Sequence, residues 1–495
     1  MEYGFLSLLP ALVTIVVAFA LRKVTWALFL GVVVGSFIAA SSASLFPKEL
    51  LHYLILCFSN FERNMIILFI LAVGALLEIL RASGAFERFA EYVIHYLDKP
   101  QKTRIATFFI SLILFFDDYA SILISATSMR SVAAKQRIPK VYLTYLIDNT
   151  ATIASGAVIS TWAAYEGSLM VDAGKMFGLE HTSTEYMVRM IPYNLFIYLL
   201  IFFAFVSAFS GKWLGKRMKS GMQKVQNEEA KVIHPSISYK TFLYPIVMLV
   251  ALAILGTIAA GIAALKLKGA TSFTPIEIIG ESPTIEVLVA STIVTIAYAT
   301  VILFKNKALS FKSYALAAKG GVMHMIPTAL IIIWATGLTE VSTVLDTGGY
   351  IVSLLEPFVT AAMVPSIAFT IALLISVATG FCWSSMAITM PIAFGMAMGI
   401  GGGGEMVYIV SGAVIGGAIA GDLLIPYSDI TILGSSSMSV TSINHVRSHF
   451  RQVLAVILVS LVGFWVLALG VPAMAVLVVC AALLLGIHTL WAKTI

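Results

Sequence analysis

The sequence predicts an all-α polytopic membrane protein, and three observations carry that prediction. Of 495 residues, 60% are hydrophobic and only 11% are charged, where an ordinary soluble domain is about a quarter charged. Mean hydropathy is +0.98. Apolar stretches of roughly membrane-spanning length recur along the chain, and alternation with a period of two is absent, which excludes a β-barrel.

The first stretch, Phe5 to Leu21, reads as a retained helix rather than a signal peptide. No basic residue precedes it, and Arg22-Lys23 stand where a small-residue cleavage site would be. Ile66 to Leu77, Asn194 to Phe209, Tyr244 to Leu265, Val287 to Phe304 and Val453 to Leu469 are further apolar segments. Cys57, Cys382 and Cys480 are far apart in apolar surroundings, with neither a metal-binding spacing nor a disulfide framework. The longest polar stretch, Gly211 to Lys240, is too short and too basic to be a catalytic domain.

Basic loops are retained on the cytoplasmic side of a membrane. Arg22-Lys23, Lys99 to Arg104, Arg130 to Lys140, Lys212 to Lys240, Lys305 to Lys319 and His445 to Arg451 are therefore assigned inside. Glu166 to Glu185 and Lys266 to Glu286, acidic or balanced, are assigned outside, and the N-terminus starts outside. The formal charge of +6 is accounted for by these loops, with no nucleic-acid surface implied.

Between two of the inside clusters lies Phe115-Phe116-Asp117-Asp118-Tyr119-Ala120-Ser121, two adjacent carboxylates in an apolar run. A single straight crossing of Ile105 to Met129 would put one basic cluster outside. The segment is therefore predicted to enter from the cytoplasm, break near the aspartates and return, since non-helical backbone at membrane depth is tolerated only where it is buried in protein or lines a cavity. One aspartate near the bilayer centre costs about 2.5–3.5 kcal/mol on insertion scales, so the pair needs a cavity, a proton or a cation. A hard monovalent cation takes oxygen ligands and competes with a proton for the same carboxylate. A site that holds either one, facing each side in turn, is an exchanger.

Three further polar clusters fall in apolar segments. Val141 to Tyr165 carries Asp148-Asn149-Thr150 at its centre. Thr379-Gly380 to Ser384-Ser385 carries hydroxyls, and Gly421-Asp422 to Asp429-Ile430-Thr431 carries two aspartates around Pro426, which interrupts a helix and frees carbonyls. The second half repeats the first: Ser83-Gly84 falls against Thr347-Gly348 at an offset of 264, Phe116 against Phe381 at 265, and Asp148 against Asp422 at 274. Basic loops give the two copies opposite directions. Inverted repeats with interrupted helices are the pattern of a secondary transporter, with its site at the midplane between them.

The expected organisation is N-terminal transmembrane helices at 1–65, a first repeat at 66–210 and a basic cytoplasmic loop at 211–241. Linking helices at 242–321, a second repeat at 322–451 and C-terminal helices at 452–495 complete it. Glu78 and Glu340 read as solvated helix ends, His324 as a packing residue, and His445, Arg447, His449 and Arg451 as a topology-setting basic loop.

Phe116-Asp117-Asp118-Tyr119-Ala120, Ser160-Thr161-Trp162 to Tyr165-Glu166, Gly421-Asp422 to Pro426-Tyr427-Ser428-Asp429-Ile430-Thr431 and His445-Val446-Arg447 resemble the NhaC family of sodium/proton antiporters over roughly Gly74 to Arg451. The chain departs from that pattern at Ser121, where the family has asparagine, and at Leu423 to Pro426, where it has a histidine followed by Ser-Pro. The resemblance implies an ion-transporter fold and exchange of sodium or lithium for protons in the cytoplasmic (inner) membrane. Asp117, Asp118, Asp148, Asp422 and Asp429 are the expected cation- and proton-binding residues, with sodium at Asp117, Asp118 and Asp148. Ser121, Asn149, Thr150, Thr379, Ser384 and Ser385 are the expected supporting ligands. The alternative is a sodium-coupled carrier of a small carboxylate or amino acid. No enzymatic site and no cofactor beyond the transported ions is expected, because there is no metal-ligand spacing, nucleophilic triad or phosphate loop.

Overall fold

A computed structural model describes residues 3–21, 24–40, 42, 44–59, 61–94, 97–157, 160–214, 237–269, 272, 274–355 and 357–494. Most of the predicted basic loop 211–241, and Arg22-Lys23, lie outside the described residues. Among the described residues the regular structure is helical, apart from one two-residue antiparallel pairing of Lys212 with Thr494 and Trp213 with Lys493.

The first half runs through α1 (Leu9–Leu21), α2 (Val24–Ala39), α3 (Phe46–Ser59), α4 (Phe61–Ala82), α5 (Ala85–Ile94), α6 (Pro100–Ile113), α7 (Asp118–Lys135), α8 (Lys140–Ala151), α9 (Thr161–Lys175), α10 (Ser183–Met190) and α11 (Leu195–Ser210). The second runs through α12 (Lys240–Leu267), α13 (Pro275–Gly280), α14 (Thr284–Lys305), α15 (Phe311–Val344), α16 (Thr347–Leu355), α17 (Val364–Thr379), α18 (Cys382–Gly399), α19 (Met406–Leu423), α20 (Asp429–Ser437), α21 (Ser442–Ala468) and α22 (Ala473–Trp491). Among the described residues, nine helices are long and apolar enough to cross a membrane, or ten if α10 and α11, which meet at 56°, count as one broken span. This is a multi-pass membrane protein. Cys57, Cys382 and Cys480 are free and buried.

From α4 and from α15 the two halves follow one pattern: long helix, short helix, helical hairpin, then a span that breaks. Packing is reciprocal. α4 packs on α15, α4 on α14 as α15 does on α2, α9 on α18 as α20 does on α7, and α11 on α6 and α8 as α21 does on α17 and α19. The correspondence thus extends to α2 with α14 and α11 with α21, beyond the 66–210 and 322–451 read from sequence. Because a hairpin returns to the side it left, the crossings from α4 up to α15 are α4, the α8–α9 span, α11, α12 and α14. Their number is odd, so the repeats are inverted.

The break and return predicted between Lys99 and Lys140 is the α6–α7 hairpin. Thr103 Oγ1 donates to Gln136 Oε1 at 2.7 Å near its base, and Ser111 Oγ donates to Ser125 Oγ at 2.8 Å nearer its tip, so the arms are antiparallel. α6, with 14 residues, reaches only ~21 Å at 1.5 Å per residue, short of the ~30 Å hydrocarbon core. Its tip ends inside the protein, with Phe116, Asp117 and Asp118 buried. In the α17–α18 hairpin, Ser385 Oγ donates to Ala372 O across the arms at 2.5 Å. Gly380 ends α17 in the left-handed region, φ +78°, which glycine adopts without the Cβ penalty.

The two halves touch most intimately where α4 crosses α15. A Cβ on Gly321 would fall 2.1 Å from the Gly74 carbonyl oxygen, backbone that cannot rotate away. Gly321→Val is therefore expected to force the crossing apart and lower the melting temperature in detergent by several degrees, as overpacking costs about 1–3 kcal/mol or more. Gly486→Ala, where the added methyl meets nothing within 4 Å, is the control and leaves it unchanged or raised; thermal unfolding of the purified protein checks both.

Candidate functional site

Each hairpin tip docks on the broken span of its own repeat. The Thr161 amide, at the start of α9, donates to Phe116 O at 3.0 Å, and its hydroxyl donates to Asp117 Oδ2 at 3.1 Å. In the second repeat the Tyr427 hydroxyl donates to Val377 O at 2.6 Å, and its ring lies against Gly380. The half-helices after the two breaks begin alike: the Ser160 hydroxyl accepts from Ala163 N and the Ser428 hydroxyl from Thr431 N. These serines are N-caps, satisfying amides that a broken helix leaves open. Counted back from the helix that follows each tip, Asp117 stands where hairpin two has Phe381, one residue on from the Phe116–Phe381 match read in the sequence.

Asp117 and Asp118 are each 2% exposed, the first beside Thr161 and the second opening α7. Most of the predicted supporting hydroxyls brace the hairpins. Ser121 Oγ donates to Ser111 O at 2.9 Å, Ser384 Oγ to Phe381 O at 2.7 Å, and Thr379 Oγ1 accepts from Phe381 N at 3.4 Å. Ser385 spans its hairpin as described above. Asn149 and Thr150 are buried just before the first break, the Thr150 hydroxyl with no hydrogen-bond partner among the described residues. Asp422 is buried at the end of α19, and the side chain of Asp429 lies outside the described residues.

Asp148 sits apart from the hairpin-one pair. Fully buried on α8, it meets His445 Nε2 through Oδ2 at 2.5 Å. A Cβ on Gly434 of α20 would lie 2.2 Å from its Oδ1, so that glycine lets α20 close over the carboxylate. Among the described residues no three His, Cys, Asp or Glu side chains gather to hold a metal ion. Asp117, Asp118 and Asp148 thus do not form one three-carboxylate cluster. The hairpin tip offers backbone and hydroxyl oxygens instead, the ligand type that suits an alkali cation.

Two sequence readings are corrected. The sequence assigns Glu166 to an external loop, yet it lies in α9, fully buried beside the Ser155 hydroxyl. Its polar neighbours in sequence hid the fact that α9 continues a broken span. The sequence assigns His445 and His449 to a basic loop. They lie in α21, both 0% exposed, while Arg447 and Arg451 face outward. The i, i+4 spacing of the histidines against that of the arginines was the available signal. A buried ion pair carries no sequence signal: Arg63 of α4 binds Asp172 of α9 at 2.7 Å, and Thr336 of α15 donates to the same carboxylate at 3.1 Å. The readings of Glu78 and His324 agree with the structure, Glu78 pairing with Arg81 and His324 packing edge-on against Tyr119.

An α-helical membrane protein with two inverted repeats, each carrying a hairpin that ends inside the protein on a broken span, is a secondary transporter. The chain belongs to the Na+/H+ antiporter family, whose model matches residues 156–469, in agreement with the NhaC resemblance. It is 24% identical over 468 residues to an uncharacterised protein of Haemophilus influenzae, covering 92% of this chain and 90% of that one. Over 99 residues it is 38% identical to the malate-2H+/Na+-lactate antiporter of Bacillus subtilis, covering 18% of this chain and 20% of that protein. Among solved structures, the fold is similar to that of Neisseria gonorrhoeae MtrF, from a class of antimetabolite efflux pumps, with a TM-score of 0.60, 14% identity and coverage of 90% and 94%. It is also similar to the Alcanivorax borkumensis YdaH transporter, with a TM-score of 0.58, 14% identity and coverage of 88% and 91%.

The Arg63–Asp172 pair ties α9 to the α4–α15 crossing. Removing one partner strands the other in a dry interior, at a cost of about 3–5 kcal/mol. Arg63→Met is expected to lose that much stability, and Arg63→Met with Asp172→Leu to regain more than half; denaturant unfolding in detergent measures both.

Proposed function

We propose that the protein exchanges sodium or lithium for protons across the cytoplasmic (inner) membrane. Its buried aspartates hold cation and proton in competition. Asp117 and Asp118 at the first hairpin tip are the principal cation-binding carboxylates, Asp148 a further carboxylate of the first repeat, and Asp422 and Asp429 the contribution of the second. The observation that carries this reading is the Asp117–Thr161 contact, which puts a carboxylate pair inside the protein where a hairpin and a broken span meet. Two adjacent buried carboxylates cannot both stay charged without a compensating cation or proton. Phe116 O, the Thr161 hydroxyl and the Asp117 carboxylate supply the oxygen ligands that sodium requires. Ser121, Thr379, Ser384 and Ser385 support the site by holding the tips in shape, and Asn149 and Thr150 supply neutral polar groups near the first break.

A second reading, sodium-coupled carriage of a small organic anion or amino acid, is favoured by two observations. The Bacillus subtilis relative is a malate-2H+/Na+-lactate antiporter, and the buried indole N–H groups of Trp162 and Trp383, with rings 4.9 Å apart, have no hydrogen-bond partner among the described residues. Such donors suit a carboxylate.

In proteoliposomes, an imposed pH gradient is expected to drive sodium or lithium movement, and Asp118→Asn to reduce it at least tenfold. A gradient that moves neither ion, or an Asp118→Asn protein with unaltered flux, defeats the exchange reading. Sodium uptake that depends on an added carboxylate selects the second.

A further inference from the structure

Glu166 is a buried carboxylate to which the exchange reading gives no part. It lies in α9 beside the hydroxyl of Ser155, in the one-turn helix Thr152–Gly156 that closes the first half of the broken span. That turn packs between α9 and α11. Asn194, the residue before α11, donates from Nδ2 to Ser155 O at 2.8 Å, and its Oδ1 has no hydrogen-bond partner among the described residues. Glu166, Ser155 and Asn194 are all 0% exposed. The Tyr198 ring of α11 closes on the same turn, where a Cβ on Gly156 would stand 3.4 Å from Tyr198 Cε1.

No basic side chain compensates this carboxylate. Of the elements packed on α9, α18 carries no charged residue. Arg63 and Arg81 of α4 are committed to Asp172 and Glu78, and Arg189 of α10 to Glu185. Lys312, Lys319 and His324 of α15 are exposed, as is Lys175 at the end of α9 itself. α11 has no charged residue either. An ionised carboxylate left alone in a dry interior is strongly disfavoured, so Glu166 needs a proton or a cation.

The neighbouring atoms decide between them. The N–H donor of the Asn194 amide is spent on Ser155 O, so what the three side chains have left to offer is oxygen: the Glu166 carboxylate, the Ser155 hydroxyl and Asn194 Oδ1. Two interruptions of the chain also meet here, the first break and the 56° bend between α10 and α11 at which Asn194 stands. Interrupted helices leave carbonyl oxygens without helical donors. A proton cancels the charge but fills one acceptor only, whereas a hard monovalent cation cancels the charge and takes several oxygens at once. We infer that Glu166, Ser155 and Asn194 form a second alkali-cation site, with sodium or lithium held between the first break and the start of α11. It is separate from the hairpin tip: five residues after Thr161, Glu166 lies about 7.5 Å further along α9 and about 140° round its axis. The site goes beyond the exchange reading, because it stands on its own residues whichever ions are carried.

The test is equilibrium binding of radiolabelled sodium to the full chain purified in detergent, with lithium and choline as competitors. The wild-type protein is expected to bind two sodium ions per chain, displaced by lithium and not by choline. Asp118→Asn and Glu166→Gln each lose one, and the double variant loses both. Ser155→Ala, which removes one neutral oxygen and no charge, is expected to weaken the sodium ion that survives in Asp118→Asn at least fivefold, and it decides the matter if Glu166→Gln does not fold. Melting in sodium against choline gives a second readout, since a bound ion stabilises the folded protein by mass action and Glu166→Gln forfeits part of that gain. Sodium binding unaltered by Glu166→Gln or, where that variant does not fold, by Ser155→Ala overturns the proposal and makes Glu166 a protonated carboxyl. Binding that Asp118→Asn leaves intact and Glu166→Gln abolishes upholds this site while removing the hairpin tip as a cation site, so the two readings fail separately.

Discussion

The contact on which the architecture turns is that of Thr161 with Phe116 and Asp117. A chain that leaves helical conformation inside a bilayer must satisfy its freed backbone groups within the protein, because lipid offers no partners. Here one residue does so for two interruptions at once: the Thr161 amide and hydroxyl, at the start of a resumed helix, bind a carbonyl and a carboxylate at the tip of a hairpin. Hairpin and break therefore depend on each other. The second repeat solves the same problem with different atoms, Tyr427 reaching Val377 O and its ring covering Gly380.

Symmetry of packing goes with asymmetry of chemistry. Ser160 and Ser428 cap equivalent half-helices, and α9 with α18 mirrors α20 with α7. Yet Asp117 stands where the other repeat has Phe381, and Asp148 meets a histidine from α21 while its repeat-mate Asp422 sits at the end of α19. Tyr165 and Trp162 of the first broken span reach Trp383 of the second hairpin, the hydroxyl donating to Trp383 O at 2.5 Å, so the first repeat's broken span is joined to the second repeat's hairpin through aromatic side chains.

Much of this was legible in the sequence. Composition gave the class, because 11% charged residues is less than half of what an ordinary soluble domain carries. The break at Asp117-Asp118 followed from two basic clusters that both had to stay on one side, and the inverted repeat followed from near-constant offsets between similar stretches and the opposite directions that the basic loops gave them. What the sequence concealed were burial relations set by distant chain segments. Glu166 looked like the start of an acidic loop because nothing local reveals that α9 is enclosed by the opposite repeat. His445 and His449 shared a segment with two outward-facing arginines, and only their four-residue spacing hinted that they occupy the other face of the helix. The Arg63–Asp172 pair joins residues too far apart in sequence for any motif to link them, and the reach of the repeat to α2 and α11 shows only in the reciprocal packing.

The central claim is that proton and cation compete for buried carboxylates within one protein. It is tested most directly by adding sodium to the purified, detergent-solubilised protein in a weakly buffered solution and recording the pH. Competition predicts that sodium binding expels protons, acidifying the solution in proportion to the protein present, with lithium acting alike and a large organic cation not at all. Sodium binding with no proton release, or with an affinity indifferent to pH, would contradict it.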